Sequence, residues 1–176
     1  AYGLDFLNEF FKKRLTAKTF AELVGRFSAE KFPGATFIDY GDVAGTHTES
    51  TSGMSPIDVV NKVLGIRIQY EQMSLKDSLD LVSTKLSQIV GGDTTIQFHP
   101  NMHLTVEALN GGYVWKKNRD GTILKGVPAA DETFEHLMDT VRYGIWHTFA
   151  YNRSARDTSR SEQIPELPKV WENTSW

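Results

Sequence analysis

Cysteine is absent from the 176 residues of this chain. Its absence excludes disulfide bonds and metal sites built on thiolates. Long apolar runs are lacking as well, and none approaches the roughly 20 residues that a membrane-spanning helix needs. The first residues, Ala1 to Phe11, do not show the basic start and apolar stretch of a signal peptide. We therefore expect a protein that works without a membrane.

An excess of basic residues is also lacking, because the formal net charge is −3. A protein that binds duplex DNA over its whole surface is usually basic, so the composition alone leans against nucleic acid. An enzyme that gathers carboxylates around metal ions can be nearly neutral, since the ions supply positive charge. A glycine-rich phosphate loop and a nucleophile elbow are both missing, which argues against an ATPase and against hydrolases built on such an elbow.

Helical and extended patterns alternate along the chain. Helices are predicted from Thr16 to Pro33, from Ser55, from Ser74 to Gly91, from Pro100 and from Thr133 to Tyr151, and strands over 35–40, 66–70 and 94–98. Two further strands, 113–117 and 122–125, flank a turn and predict a β-hairpin. This order predicts an α/β domain over residues 1–151, with a mixed β-sheet flanked by helices and a protruding hairpin. Residues 152–176 are polar and predict a tail or linker.

Asp42 lies just after the predicted strand over 35–40, and it is flanked by Gly41 and Gly45. The carboxyl ends of strands are where α/β sheets bind ligands, and glycines allow a sharp turn and the close approach of a bulky partner. Aspartate beside glycine is also a common turn former. On these residues alone the turn-forming role is favoured.

Asp139 lies in the last predicted helix, beside the apolar stripe formed by Phe134, Leu137, Met138, Val141 and Ile145. A carboxylate at the border of a buried face must be hydrogen-bonded or metal-bound if it loses water. A solvated helix position is the alternative, and it is favoured without further information. His136 shares the face of Asp139. It is expected to be a hydrogen-bonding neighbour, a direct ligand, or a local capping or core residue.

Basic residues are concentrated on the predicted hairpin, among aromatic side chains at Tyr113 and Trp115. Lys116, Lys117 and Arg119 in this setting suit contacts to a DNA backbone. An ordinary solvated hairpin explains the same pattern and is favoured on this pattern alone.

Four segments resemble one family, the large subunits of phage terminases. Gly41-Asp-Val-Ala-Gly45 resembles their Asp-Pro-Ala-Gly segment, with Val43 in place of the proline. Phe98-His-Pro100 resembles the stretch before their hairpin, and Gly112-Tyr-Val-Trp-Lys-Lys-Asn-Arg-Asp-Gly121 is similar to the hairpin itself. His136-Leu-Met-Asp-Thr-Val-Arg-Tyr143 resembles their closing motif, His-x-x-Asp-Ala-x-Arg-Tyr. The segments follow the family's order within residues 1–149.

The resemblance implies a ribonuclease-H-like nuclease that cuts concatemeric viral DNA during genome packaging in the host cytoplasm. It implies three acidic ligands, Asp5, Asp42 and Asp139, which hold two divalent ions, Mg²⁺ or Mn²⁺. In the mechanism that we expect, His136 orients Asp139 and Arg142 pairs within the helix. The implied partners are double-stranded viral DNA, the portal protein, the small terminase subunit and an ATPase domain of the same full-length protein.

The chain departs from the family pattern after Asp5. The family continues through a loop and a second strand, whereas here Leu7-Asn-Glu-Phe10 follows Phe6 directly. We hypothesise that about 15 to 25 residues are missing at this point, judged from ordinary strand lengths. An intact mass equal to 19.8 kDa would contradict that hypothesis. Two alternatives stay open: another ribonuclease-H-like nuclease, such as a junction resolvase or a ribonuclease, and a non-catalytic DNA-binding or docking module.

Overall fold

The computed structural model describes residues 3–48, 53–131 and 133–151. These residues are 48% helical and 16% strand, so the predicted mixture of helices and strands is confirmed. In chain order the strands and helices are β1 (Leu4–Phe6), α1 (Ala17–Lys31), β2 (Tyr40–Gly41), α2 (Pro56–Leu64), β3 (Gln69–Tyr70), α3 (Leu75–Ser87), β4 (Ile89–Val90), β5 (Asp93–Thr94), β6 (Ile96–Phe98), α4 (His103–Glu107), β7 (Trp115–Lys117), β8 (Ile123–Pro128) and α5 (Phe134–Trp146). Residues 152–176, the predicted tail or linker, lie outside the described residues.

The longer helices begin where the sequence predicts, because local hydrogen bonds define their first turns. At the start of α2, the Ser55 hydroxyl accepts a hydrogen bond from the Asp58 backbone N–H at 3.1 Å. The Asp58 carboxylate accepts one from the Ser55 N–H at 3.4 Å, which completes a capping box. Thr16 caps α1 and Ser74 caps α3 through their side-chain oxygens. Such caps satisfy backbone N–H groups that the helix leaves unpaired.

The described strands form four separate two-stranded ladders, so the single mixed sheet that we expected is not seen in this part of the chain. β1 pairs with β6 and β2 with β3, both in parallel, while β4–β5 and β7–β8 are antiparallel. The predicted strand over 35–40 is reduced to β2. Phe37 and Ile38 stay 49% and 57% exposed, so no buried face stabilises pairing there.

The glycine pair Gly91-Gly92 does not end α3, contrary to expectation. The helix ends at Ser87, and the two glycines form the turn between β4 and β5. Their φ angles of +67° and +98° suit the left-handed conformation that tight hairpins need. Ile89 fits the helical spacing of α3 but lies outside the helix, and it is 67% exposed.

α5 lies at the centre of the core. Its residues Leu137, Met138, Val141 and Ile145 are buried, as the predicted stripe requires. They pack with α3 and α4 and with the aromatic side chain of Phe6 on β1. Asp139 and Arg142 therefore lie at the border of the core.

The antiparallel hairpin β7–β8 confirms the predicted hairpin.

No helix in the described ranges is long and apolar enough to cross a bilayer.

Candidate active site

A pocket of about 360 Å³ opens between the ends of two strands and one face of α5. β2 and β3 run in parallel with Gly41 opposite Tyr70, so the next residues, Asp42 and Glu71, leave the ladder at the same edge. α5 contributes Glu135 and Asp139 to the lining, one helical turn apart. Four carboxylates from three separate segments of the chain thus border one pocket.

Asp42 has a turn-forming role as well as a place in the pocket. Its Oδ1 accepts a hydrogen bond from the Ala44 backbone N–H at 2.9 Å and caps the 3₁₀ turn Val43–Thr46. The flanking glycines are explained by packing. A Cβ at Gly41 would lie 2.9 Å from Ile68 Cγ2, and one at Gly45 would lie 3.1 Å from Ile57 Cγ1. The expected sharp turn is not the reason for them, since neither has a positive φ.

Asp139 is held by an ion pair within its own helix. Arg142 Nη2 donates to Asp139 Oδ1 at 2.5 Å, and the Asp139 side chain is 27% exposed. The Arg142 side chain is more deeply buried, at 8% exposed, and its Nη1 donates to Ser78 Oγ of α3 at 2.8 Å. The expected pairing of Arg142 within the helix is confirmed, and Ser78 is an additional partner that the sequence did not indicate.

Tyr143 lines the same pocket as the two aspartates. Burial raises the pKa of the Tyr143 hydroxyl, and a hydrogen bond to the Asp42 carboxylate raises it further. The negative charges of Asp42 and Asp139 act in the same direction, while Arg142 opposes them. The hydroxyl therefore stays protonated and donates a hydrogen bond to Asp42.

Asp5 is not among the residues that line this pocket. Leu4 and Phe6 pack against the core, so Asp5 between them points to the other face of β1 and is exposed. The structure does not bring the third predicted ligand to Asp42 and Asp139.

His136 is also placed apart from the pocket. It is exposed and lines a different cavity, together with Phe6, Glu9 and Phe10. No side-chain hydrogen bond joins it to Asp139 among the described residues, so its expected role in orienting Asp139 has no counterpart in this arrangement. The hairpin residues are exposed as expected: Lys116, Lys117 and Arg119.

Glu71 and Glu135 were overlooked, although the sequence carries a signal for each. Glu71 follows the predicted strand 66–70 just as Asp42 follows the strand before it, and parallel strands end at one edge of a sheet. Glu135 precedes Asp139 by four residues in the predicted helix and therefore shares its face.

The donor chemistry of the pocket suits a hard divalent cation, because carboxylate oxygens are the ligands that Mg²⁺ and Mn²⁺ prefer. Mg²⁺ commonly takes one or two protein carboxylates and fills its other positions with water and substrate phosphate. Asp42 and Asp139 fit that pattern. A cage of three acidic ligands is not formed, since no group of three or more His, Asp or Glu side chains in the described ranges is arranged to hold a metal.

Comparisons with models of protein families, with curated proteins and with solved structures give no match to this chain. The resemblance to terminases therefore rests on the four quoted segments.

Proposed function

We propose that this chain is the ribonuclease-H-like nuclease domain of a terminase large subunit, a metal-dependent endonuclease that cuts concatemeric viral DNA during packaging. The observation that carries the proposal is the meeting of Asp42 and Asp139 in one pocket. Both aspartates lie in segments that resemble the family's motifs, at the positions where the family has its metal ligands. The resemblance depends on sequence alone, and the shared pocket of Asp42 and Asp139 is an independent geometric observation that supports it.

The chemistry needs a site that tolerates the charge of a phosphodiester and activates a water. Divalent ions supply both when they are bound. In the proposed site Asp42 and Asp139 hold the ions, and Tyr143 fixes the Asp42 carboxylate by donating a hydrogen bond to it. Asp5 stays the third ligand of the proposal and is tested separately, because it does not line the pocket.

The hairpin β7–β8 gives the proposed nuclease a surface for duplex DNA. Its exposed basic side chains can neutralise phosphates, which offsets the unfavourable net charge of the chain. The portal protein, the small terminase subunit, an ATPase domain of the same full-length protein and the host cytoplasm belong to the same proposal.

Cleavage of supercoiled plasmid with Mg²⁺ or Mn²⁺ tests the proposal. We expect nicked and linear products from the wild-type protein, none with a chelator present, and none from Asp42→Ala or Asp139→Ala. Asp80→Ala is the matched control, because Asp80 is an exposed acid on α3 that forms a surface ion pair with Lys76. Full activity in both pocket variants would overturn the proposal.

Asp5→Ala separates the pair from the triad. Loss of cleavage would support three ligands, whereas full activity would remove Asp5 and leave the pair.

A panel of duplex DNA, four-way junction and RNA–DNA hybrid distinguishes the terminase from a resolvase or a ribonuclease. Binding without cleavage, unchanged by chelator, would instead identify a docking module.

A further inference from the structure

A buried chain of hydrogen bonds extends from Asp139 into the protein interior. Asp139 Oδ1 accepts from Arg142, and Arg142 donates in turn to Ser78 Oγ. The Ser78 hydroxyl donates to the Leu75 backbone carbonyl at 2.9 Å. Ser78 is 1% exposed and Arg142 is 7% exposed. The first turn of α3 therefore fixes the guanidinium that holds the carboxylate on α5.

The contact uses one oxygen of the Asp139 carboxylate. The other oxygen, Oδ2, accepts no hydrogen bond from the described residues, and Asp139 lines the pocket. A planar guanidinium with two anchored nitrogens fixes the plane of the carboxylate more firmly than a mobile ammonium would. Groups that orient a ligating carboxylate in this way commonly set its affinity for metal.

We propose that Arg142 is a positioning residue that holds Asp139 so that Oδ2 faces a divalent cation in the pocket, and that Ser78 is its anchor. This inference rests on the proposed function. It assigns a role in the site to Arg142 and Ser78, which act through the Asp139 carboxylate.

Binding of Mn²⁺, followed by the electron paramagnetic resonance signal of the free ion, tests the inference without reference to cleavage. Arg142→Gln should weaken Mn²⁺ binding by about 10- to 100-fold, the usual effect of losing a group that orients a ligand. Arg142→Lys should fall between Arg142→Gln and the wild type, because an ammonium can pair with Asp139 but cannot also reach Ser78 in the same geometry. Ser78→Ala should weaken binding in the same direction and by less.

Ser83→Ala is the control, because Ser83 is an exposed serine on α3, the helix that carries Ser78. The Mn²⁺ affinity of the Ser83→Ala protein should equal that of the wild type. Circular dichroism melting identifies variants that fail to fold. If the Arg142 variants do not fold, Ser78→Ala decides the question, since it leaves the ion pair in place.

Unchanged Mn²⁺ affinity in the folded variants would overturn the inference and leave the proposed function standing. Tighter binding would also overturn it, because Arg142 would then compete with the metal for Asp139. A wild-type protein that binds no Mn²⁺ would overturn both the inference and the proposed function.

Discussion

Glu9 ties the segment after β1 to the start of α4, and replacing it with glutamine should destabilise the fold. One carboxylate oxygen accepts from the Leu104 backbone N–H at 2.9 Å. The other accepts from the Thr105 N–H at 2.9 Å and from the Thr105 hydroxyl at 2.7 Å. Thr105 is 1% exposed, so water cannot easily replace these bonds.

Glutamine keeps the shape of the side chain but has only one accepting oxygen. With that oxygen toward Thr105, the amide NH₂ faces the Leu104 N–H, and one donor loses its acceptor. A hydrogen bond to a charged group contributes about 1.5–3 kcal/mol, so Glu9→Gln should lower the free energy of unfolding by about that amount. Thr105→Val removes the hydroxyl bond alone, and combining both changes should cost less than their sum because they share one interaction.

Urea unfolding followed by circular dichroism measures these changes. Glu22→Gln is the matched control, because Glu22 is an exposed glutamate of α1 that meets Lys18 at 3.9 Å. Such surface pairs contribute about 0.5 kcal/mol or less. A Glu9→Gln protein as stable as the Glu22→Gln protein would refute the stabilising role of the contact between the segment after β1 and α4.

Three further predictions concern the core, the pH dependence and the hairpin. Ile145→Ala should cost about 2–5 kcal/mol of unfolding free energy, since Ile145 is fully buried, whereas Ile89→Ala should stay within about 0.5 kcal/mol. Burial lowers the pKa of His147, while the charge of Glu71 opposes the shift. As the pH falls, His147 therefore takes up a proton in the unfolded chain before it does so in the folded protein. The urea midpoint should fall as the pH drops below about 6.5, and it should fall less in the His147→Gln protein. With chelator present, replacing Lys116, Lys117 and Arg119 by alanine should reduce the slope of the logarithm of DNA affinity against the logarithm of salt concentration by about 2–3. Lys76→Ala should change that slope little.

The helices were predictable because their signals are local. Ser55 and Asp58 belong to one capping box within four residues, and that motif specifies the start of α2 without any distant partner. The stripe of α5 repeats at helical spacing, so the burial of Val141 and Ile145 follows from the pattern.

The strands were harder to predict because a ladder depends on its partner. Residues 35–40 have the composition of a strand, yet the pairing is limited to Tyr40 and Gly41 with β3. Ile89 fits the helical period of α3 and still leaves the helix, because Gly91-Gly92 allows a hairpin that the period does not encode.

The candidate site shows the same limit. Asp42 and Asp139 were chosen from motifs, and the structure brings both to one pocket. The link between Arg142 and Ser78 joins residues 64 positions apart, and no local pattern predicts it. Asp5 was assigned by family order alone, and the two-residue period of β1 places it on the opposite face from Phe6.

The proposed nuclease site requires Asp42 and Asp139 to hold a divalent ion together. Anomalous diffraction from crystals soaked in Mn²⁺ tests it most directly. We expect a peak within about 2.0–2.6 Å of carboxylate oxygens from both residues, the range of metal–oxygen bonds to hard divalent cations. A strong Mn²⁺ peak at another place in the protein, with no peak between these two carboxylates, would contradict this proposal.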